Sequence, residues 1–185
     1  MIRPDVTIRP RLSVVLAAAI LLAGCGAEEE VPRPARMPVQ DEAPDFTAFT
    51  DVKEKKKAFF EYMLPMVRNA NAEVRYDRER LLAIRAKMAA GQNLSAGETS
   101  RLMRLSERYR LDIQSPPTLT DVDHLLQRVD VVPASLILAQ SANESAWGTS
   151  RFARRGNNYF GIWCFEPGCG FTPRERGDGL THEVA

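Results

Sequence analysis

From Val52 to Val129 the apolar residues recur at helical spacing, and this constrains the fold more than any other feature. Phe59, Phe60, Met63, Leu64 and Val67 define a helix over Val52–Ala70, which Pro65 is expected to kink. Val74, Leu81, Leu82, Ile84 and Met88 define a second over Ala72–Ala90. Ser95-Ala96-Gly97-Glu98 fits a capping box and opens a third, running through Leu102, Leu105 and Tyr109. After the break at Ser115-Pro116-Pro117, Thr120 is expected to cap a short helix carrying Val122, Leu125, Leu126 and Val129. Pro133 suits the first turn of the next, a largely apolar helix of the kind that lies inside a domain. Beyond Phe160 the character changes: Gly161, Pro167, Gly168, Gly170 and Pro173 punctuate short aromatic stretches, as in β-hairpins or loops. The expectation is an α+β domain over residues 51–185, mainly helical, without internal repeats.

The preceding residues have a different composition. Arg3, Arg9 and Arg11 lead into an apolar run, Leu12 to Ala23, broken only by Ser13. Twelve helical residues span about 18 Å, short of the roughly 30 Å bilayer core, so residues 1–24 read as an export signal rather than a membrane span. The run ends in Leu22-Ala23-Gly24-Cys25, which resembles the lipobox of bacterial lipoproteins and implies that Cys25 is acylated after cleavage. A periplasmic, lipid-anchored protein, on the outer membrane, is expected. Residues 25–50, with Glu28-Glu29-Glu30 and Pro32, Pro34, Pro38 and Pro44, read as a solvated tether. Hydrophobic residues make up 44% of the chain, enough for a core, and the formal charge of +1 falls near −1 once residues 1–24 are removed. Attraction to nucleic acid or another polyanion is therefore not its working principle. His124 has no second ligand at suitable spacing and is assigned to a polar face, and the basic residues among the helices to solvated faces. Cys164 and Cys169 would suggest a metal in a reducing compartment; in an exported protein they favour a disulfide closing a short, rigid loop.

Glu144 closes the apolar helix that begins near Pro133, and Trp147 and Gly148 follow it directly. A carboxylate in a buried setting is costly unless paired or used. Arg151 and Arg154 are possible ion-pair partners. The alternative is a catalytic acid, because a sugar alkoxide leaves poorly unless protonated as it departs, and burial beside Trp147 would help such an acid keep its proton. The surrounding residues favour catalysis. Ala139, Gln140, Ala142, Glu144, Ser145, Trp147 and Gly148 match Ala-Gln-x-Ala-x-Glu-Ser-x-Trp-Gly, and Asn157, Asn158, Phe160 and Gly161 match Asn-Asn-x-Phe-Gly. With these motifs the chain, over about residues 50–185, resembles the β-N-acetylglucosaminidase domains of bacterial peptidoglycan hydrolases, the group of flagellar hydrolases and autolysins. Through "WCFEPGCG" and the helical region before the motifs it is most similar to the Bax-type members.

The resemblance implies a lysozyme-like fold with a groove between a helical body and a small hairpin lobe, and makes Glu144 the proton donor. Tyr159, Phe160 and Trp163 suit stacking on sugar faces, though any one could be core, and Trp147 is counted with the substrate-binding residues. Asn157 and Asn158 could position N-acetyl or hydroxyl groups, or shape the loop. Gly148 and Gly161 read as backbone geometry. Glu166, Glu175, Asp178 and Glu183 are candidates for a second carboxylate, with Asp178 better suited to a turn. Some family members carry a second glutamate about 40 residues after the first in a Thr-x-Glu context; Thr181-His182-Glu183 is similar, which selects Glu183. Family domains continue with further helices, so a domain incomplete at its C-terminal end is expected. The implied activity is hydrolysis of the β-1,4 bond from N-acetylglucosamine to N-acetylmuramic acid in peptidoglycan glycan strands, with no cofactor or metal. The rivals are a lytic transglycosylase and a non-catalytic wall-binding protein.

Overall fold

The computed structural model describes residues 32–174, 177 and 179–185. Residues 1–24, Cys25, Glu175 and Asp178 lie outside the described residues. Five helices precede a two-stranded antiparallel sheet among the described residues, the mainly helical α+β class expected from the sequence.

Helix α1 runs from Val52 to Ala89 as one element of 38 residues, where the sequence suggested two. Asp51 caps it, accepting from the N–H groups of Lys53 and Glu54 at 2.7 and 2.9 Å. Pro65 lies inside without ending it. Proline removes one donor from the ladder, but buried Phe59, Tyr62, Met63 and Val67 pack on both sides of it, so tertiary contacts carry the axis through. No glycine separates the two halves, and Asn71, a cap-type residue at the expected junction, is instead buried inside the helix, its amide donating to Val132 O at 2.8 Å.

Helix α2 (Ala96–Arg108) begins with the expected capping box: Ser95 Oγ accepts from Glu98 N–H, and Glu98 accepts from Ser95 N–H at 2.7 Å. Helix α3 (Leu119–Arg128) is capped by Thr118 instead of Thr120. Thr118 and Asp121 complete a reciprocal box, whereas Asp123, three residues after Thr120, is paired with Arg85 of α1. His124 is exposed on α3. Leu81, Ile84, Leu102, Leu105, Val122 and Leu125 form a core between α1, α2 and α3.

A second core surrounds the N-terminal half of α1, where Phe46, Phe59, Tyr62, Met63, Ala142, Ala153 and Tyr159 pack together. Phe46 belongs to the stretch expected to be a tether, and residues 32–50 are not free of the domain. Asn69 pairs with both backbone groups of Met37, at 2.8 and 2.9 Å, and Glu73 meets Arg33 and Arg36. The folded unit therefore starts before Asp51. Helix α4 (Ala134–Glu144) also departs from expectation, since it is peripheral: only Ser141 and Ala142 are buried, and Leu136 is 57% exposed. After α5 (Arg151–Gly156), β1 (Trp163–Cys164) pairs with β2 (Glu183–Val184) in the register Trp163↔Val184 and Cys164↔Glu183, and Phe171 bridges to Val184. Cys164 and Cys169 form a disulfide that closes the loop after β1.

Candidate active site

Glu144 is the last residue of α4, and the turn that follows fixes where its side chain starts. Trp147 N–H donates to Ala142 O at 2.7 Å and Ala146 N–H to Asn143 O at 3.3 Å, the two bonds of a Schellman ending. Ala146, Trp147 and Gly148 have φ of 50°, 57° and 76°, three successive left-handed residues of which only the last is glycine. Such backbone costs of order 1–3 kcal/mol per non-glycine residue and persists only where its surroundings over-determine it. Ser145 is fully buried; its hydroxyl donates to Ser141 O at 2.6 Å and accepts from Gly148 N–H at 2.9 Å. Gly148 lies against Phe46, whose ring would be 2.3 Å from any Cβ placed there. The serine and glycine that follow Glu144 are therefore explained by the turn they close.

Trp147 is wedged against α1. Its ring meets Phe59 and Phe60 edge-on at 5.7 and 5.4 Å, and Lys56 Nζ lies 4.7 Å from its centroid. It is half-buried and so keeps part of its surface accessible.

The second motif meets the first at the carboxylate. Gly161, with φ of 62°, is a neighbour of Glu144: a Cβ there would make ordinary contact with Oε2 at 3.8 Å. Asn158 organises this loop: its side-chain oxygen accepts from Phe160 N–H at 3.2 Å and Ile162 N–H at 3.0 Å, and its amide donates to Ile162 O and Ala185 O. Those bonds use its hydrogen-bonding capacity and leave it a loop former, not a sugar ligand. Asn157 is exposed and ends α5 in the left-handed conformation.

Of the expected sugar-stacking residues, Tyr159 is buried in the second core, where burial and then its hydrogen bond with Tyr62 push its phenol pKa well above the usual tyrosine value. It is a core residue. Phe160 is exposed at the surface, and Trp163, 55% exposed, stacks on buried His182 with centroids 3.9 Å apart and rings 15° from parallel. Phe165, in the disulfide loop, is 70% exposed. Trp147, Phe160 and Trp163 thus keep accessible aromatic surface; Tyr159 does not, and Asn158 is buried as well.

Glu144 itself is exposed, contrary to the burial expected of it. The ion-pair alternative also fails. Arg151 donates to Thr172 O at 2.7 Å, Arg154 lines a small cavity with Asp45, and Glu144 has no ion-pair partner among the described residues. Glu183, the expected second carboxylate, accepts from Gly168 N–H at 3.3 Å and Gly170 N–H at 2.8 Å, on either side of Cys169. Its hydrogen bonds clamp the disulfide loop. Cys164, Cys169 and Glu183 also place potential metal-ligating atoms within 4.8 Å of one another, but both sulfurs are committed to the disulfide.

A family model described as "Glucosaminidase: Mannosyl-glycoprotein endo-beta-N-acetylglucosaminidase" matches residues 120–183, a segment that contains both motifs and the hairpin lobe up to Glu183. Protein bax of Escherichia coli (strain K12) is 33% identical over 130 residues, covering 70% of this chain and 46% of that protein. The chain is a Bax-type member of the glucosaminidase family. It spans about half the length of the curated relative it matches. No solved structure matches it significantly. The glucosaminidase-family segment supplies Glu144, the second motif and the lobe. Phe46, Lys56, Phe59 and Phe60, which support Trp147 and its turn, come from outside residues 120–183. Sequence reading missed this support, although two phenylalanines, Phe46 and Phe49, in an otherwise polar stretch were a signal for it. His182 gave no comparable signal.

Proposed function

We propose that this protein is a glycoside hydrolase of bacterial peptidoglycan, cleaving the β-1,4 bond from N-acetylglucosamine to N-acetylmuramic acid with Glu144 as general acid. The observation that carries this reading is the convergence of both family motifs on one carboxylate. Glu144 leaves a strained, over-determined turn and lies against Gly161, with the accessible aromatics Trp147 and Phe160 contributed by the same two motifs. Glu144 donates its proton to the muramyl O4 as the bond from C1 breaks. Water supplies the hydroxyl that ends on C1, and the proton it releases restores the carboxyl. Because Glu144 is exposed, the bound strand itself supplies the cover that excludes water. Glu183 is assigned to holding the disulfide loop, through its bonds to the amides of Gly168 and Gly170, and the substrate's N-acetyl oxygen is suited to stabilise C1.

The same reading places the protein in the periplasm, held by acyl chains on Cys25. The export signal and Leu22-Ala23-Gly24-Cys25 support it, and the disulfide suits an oxidising compartment. Mass spectrometry of digested sacculi tests the activity: products ending in reducing N-acetylglucosamine are expected. 1,6-Anhydromuramic ends would mean a lytic transglycosylase, and sacculus binding without release a wall-binding protein. Detergent partitioning of Cys25→Ser against the parent tests the anchor, which is refuted if both remain in the aqueous phase.

A further inference from the structure

Four lysines, Lys53, Lys55, Lys56 and Lys57, occupy the first turns of α1, and Lys56 reaches Trp147 in the turn that follows Glu144. Asp51 is engaged in capping the helix, and Lys57 pairs with Glu61 at 3.8 Å. Lys56 differs from its neighbours. Its Nζ lies 4.7 Å from the centroid of Trp147, and it has no acidic partner within ion-pair distance among the described residues. An ammonium on an indole face is attracted by the ring quadrupole, which fixes its position without neutralising it. Phe60, one turn further along α1, packs edge-on against the same indole. Helix α1 thus brings an oriented, uncompensated cation to Trp147, three residues beyond Glu144 in its turn.

Resting on the peptidoglycan reading above, we propose that Lys56 is a specificity-determining residue that binds a carboxylate of the muramyl unit beside the scissile bond. The sugar rings of the strand are neutral and offer the ammonium only ordinary hydrogen-bond acceptors, whereas a carboxylate meets its charge as well. The carboxylates nearest the bond are those of the muramyl substituent, either the free lactyl group or the peptide stem that extends from it. Either would meet Lys56 as a charge-assisted pair, shielded on one side by Trp147. The consequence is a preference for anionic wall strands over an uncharged β-1,4-linked N-acetylglucosamine polymer.

Binding tests this without relying on turnover. Dissociation constants would be measured in a Glu144→Gln background for stem-bearing strands, for amidase-treated strands with a free lactyl carboxylate, and for neutral chito-oligosaccharide. Adding Lys56→Gln should weaken at least one anionic ligand about 5- to 10-fold, Lys56→Glu should weaken it further, and Lys56→Arg should retain most of the affinity. The neutral oligosaccharide should be unaffected. The anionic ligand that loses affinity identifies the carboxylate, lactyl or stem. Equal loss for neutral and anionic ligands would reduce Lys56 to a prop for Trp147 and overturn the proposal, as would no loss for either anionic strand. If the Glu144→Gln protein binds no strand at all, the peptidoglycan reading itself fails.

Discussion

Glu144 and Glu183 are 39 residues apart and alike in chemistry, yet their surroundings give them different work. Glu144 is exposed, lacks an ion-pair partner among the described residues and points toward Gly161. Glu183 spends its oxygens on the amides of Gly168 and Gly170. Glu144→Gln should therefore lower turnover by about 10²–10⁴-fold while strand binding and thermal stability persist, because it removes only the transferable proton. Glu183→Gln, which keeps an acceptor for Gly170, should retain turnover within a few-fold. Glu183→Ala should raise KM more than it lowers kcat and speed hydrogen exchange at Gly168 and Gly170. A kcat loss in Glu183→Gln as large as in Glu144→Gln would restore Glu183 to the chemistry.

At the scale of elements, the helices were legible because burial imprints its period on the sequence: Leu102 and Leu105, or Val122 and Leu125, name their own core. The Ser95 capping box was legible for the same kind of reason, being a local contact of fixed spacing. What lay hidden was non-local. That α1 runs through Pro65 depends on side chains packing around it, and the role of Phe46 depends on Gly148, about a hundred residues later. Both site motifs were legible, but not which of their residues face solvent: Tyr159 and Asn158 looked like ligands and turned inward. The contact between Phe46 and Gly148 gives a direct check. Gly148→Ala combines a φ of 76° with a 2.3 Å encounter, so it should destabilise by about 1–3 kcal/mol or more in urea unfolding. Phe46→Ala should cost about 3–5 kcal/mol through the cavity it leaves. The double variant should cost clearly less than the sum, since the cavity admits the new methyl group. Strict additivity would mean that the strain lies in the backbone alone.

Across the whole molecule, α1 is the member common to both cores, one between α1, α2 and α3 and the other beneath the Glu144 turn. A helix of 38 residues is about 57 Å long, enough to serve two clusters that share few side chains. The helical body can then be weakened far from the site without altering the chemistry. Leu102, fully buried in the first core, has no contact with the aromatic cluster; Phe59, equally buried, meets Phe46, Trp147 and Tyr159. Leu102→Ala should cost about 2–5 kcal/mol and Phe59→Ala about 3–5 kcal/mol, similar losses of global stability. Their kinetics should separate. At a temperature where both variants remain folded, Leu102→Ala should keep kcat/KM per folded molecule near the parent value. Phe59→Ala should lower it by tenfold or more, because Trp147 loses its backing and the turn that aims Glu144 can relax. Unfolding curves paired with sacculus digestion measure both quantities on the same preparations. Equal kinetic losses at equal stability would show that the two cores act as one unit.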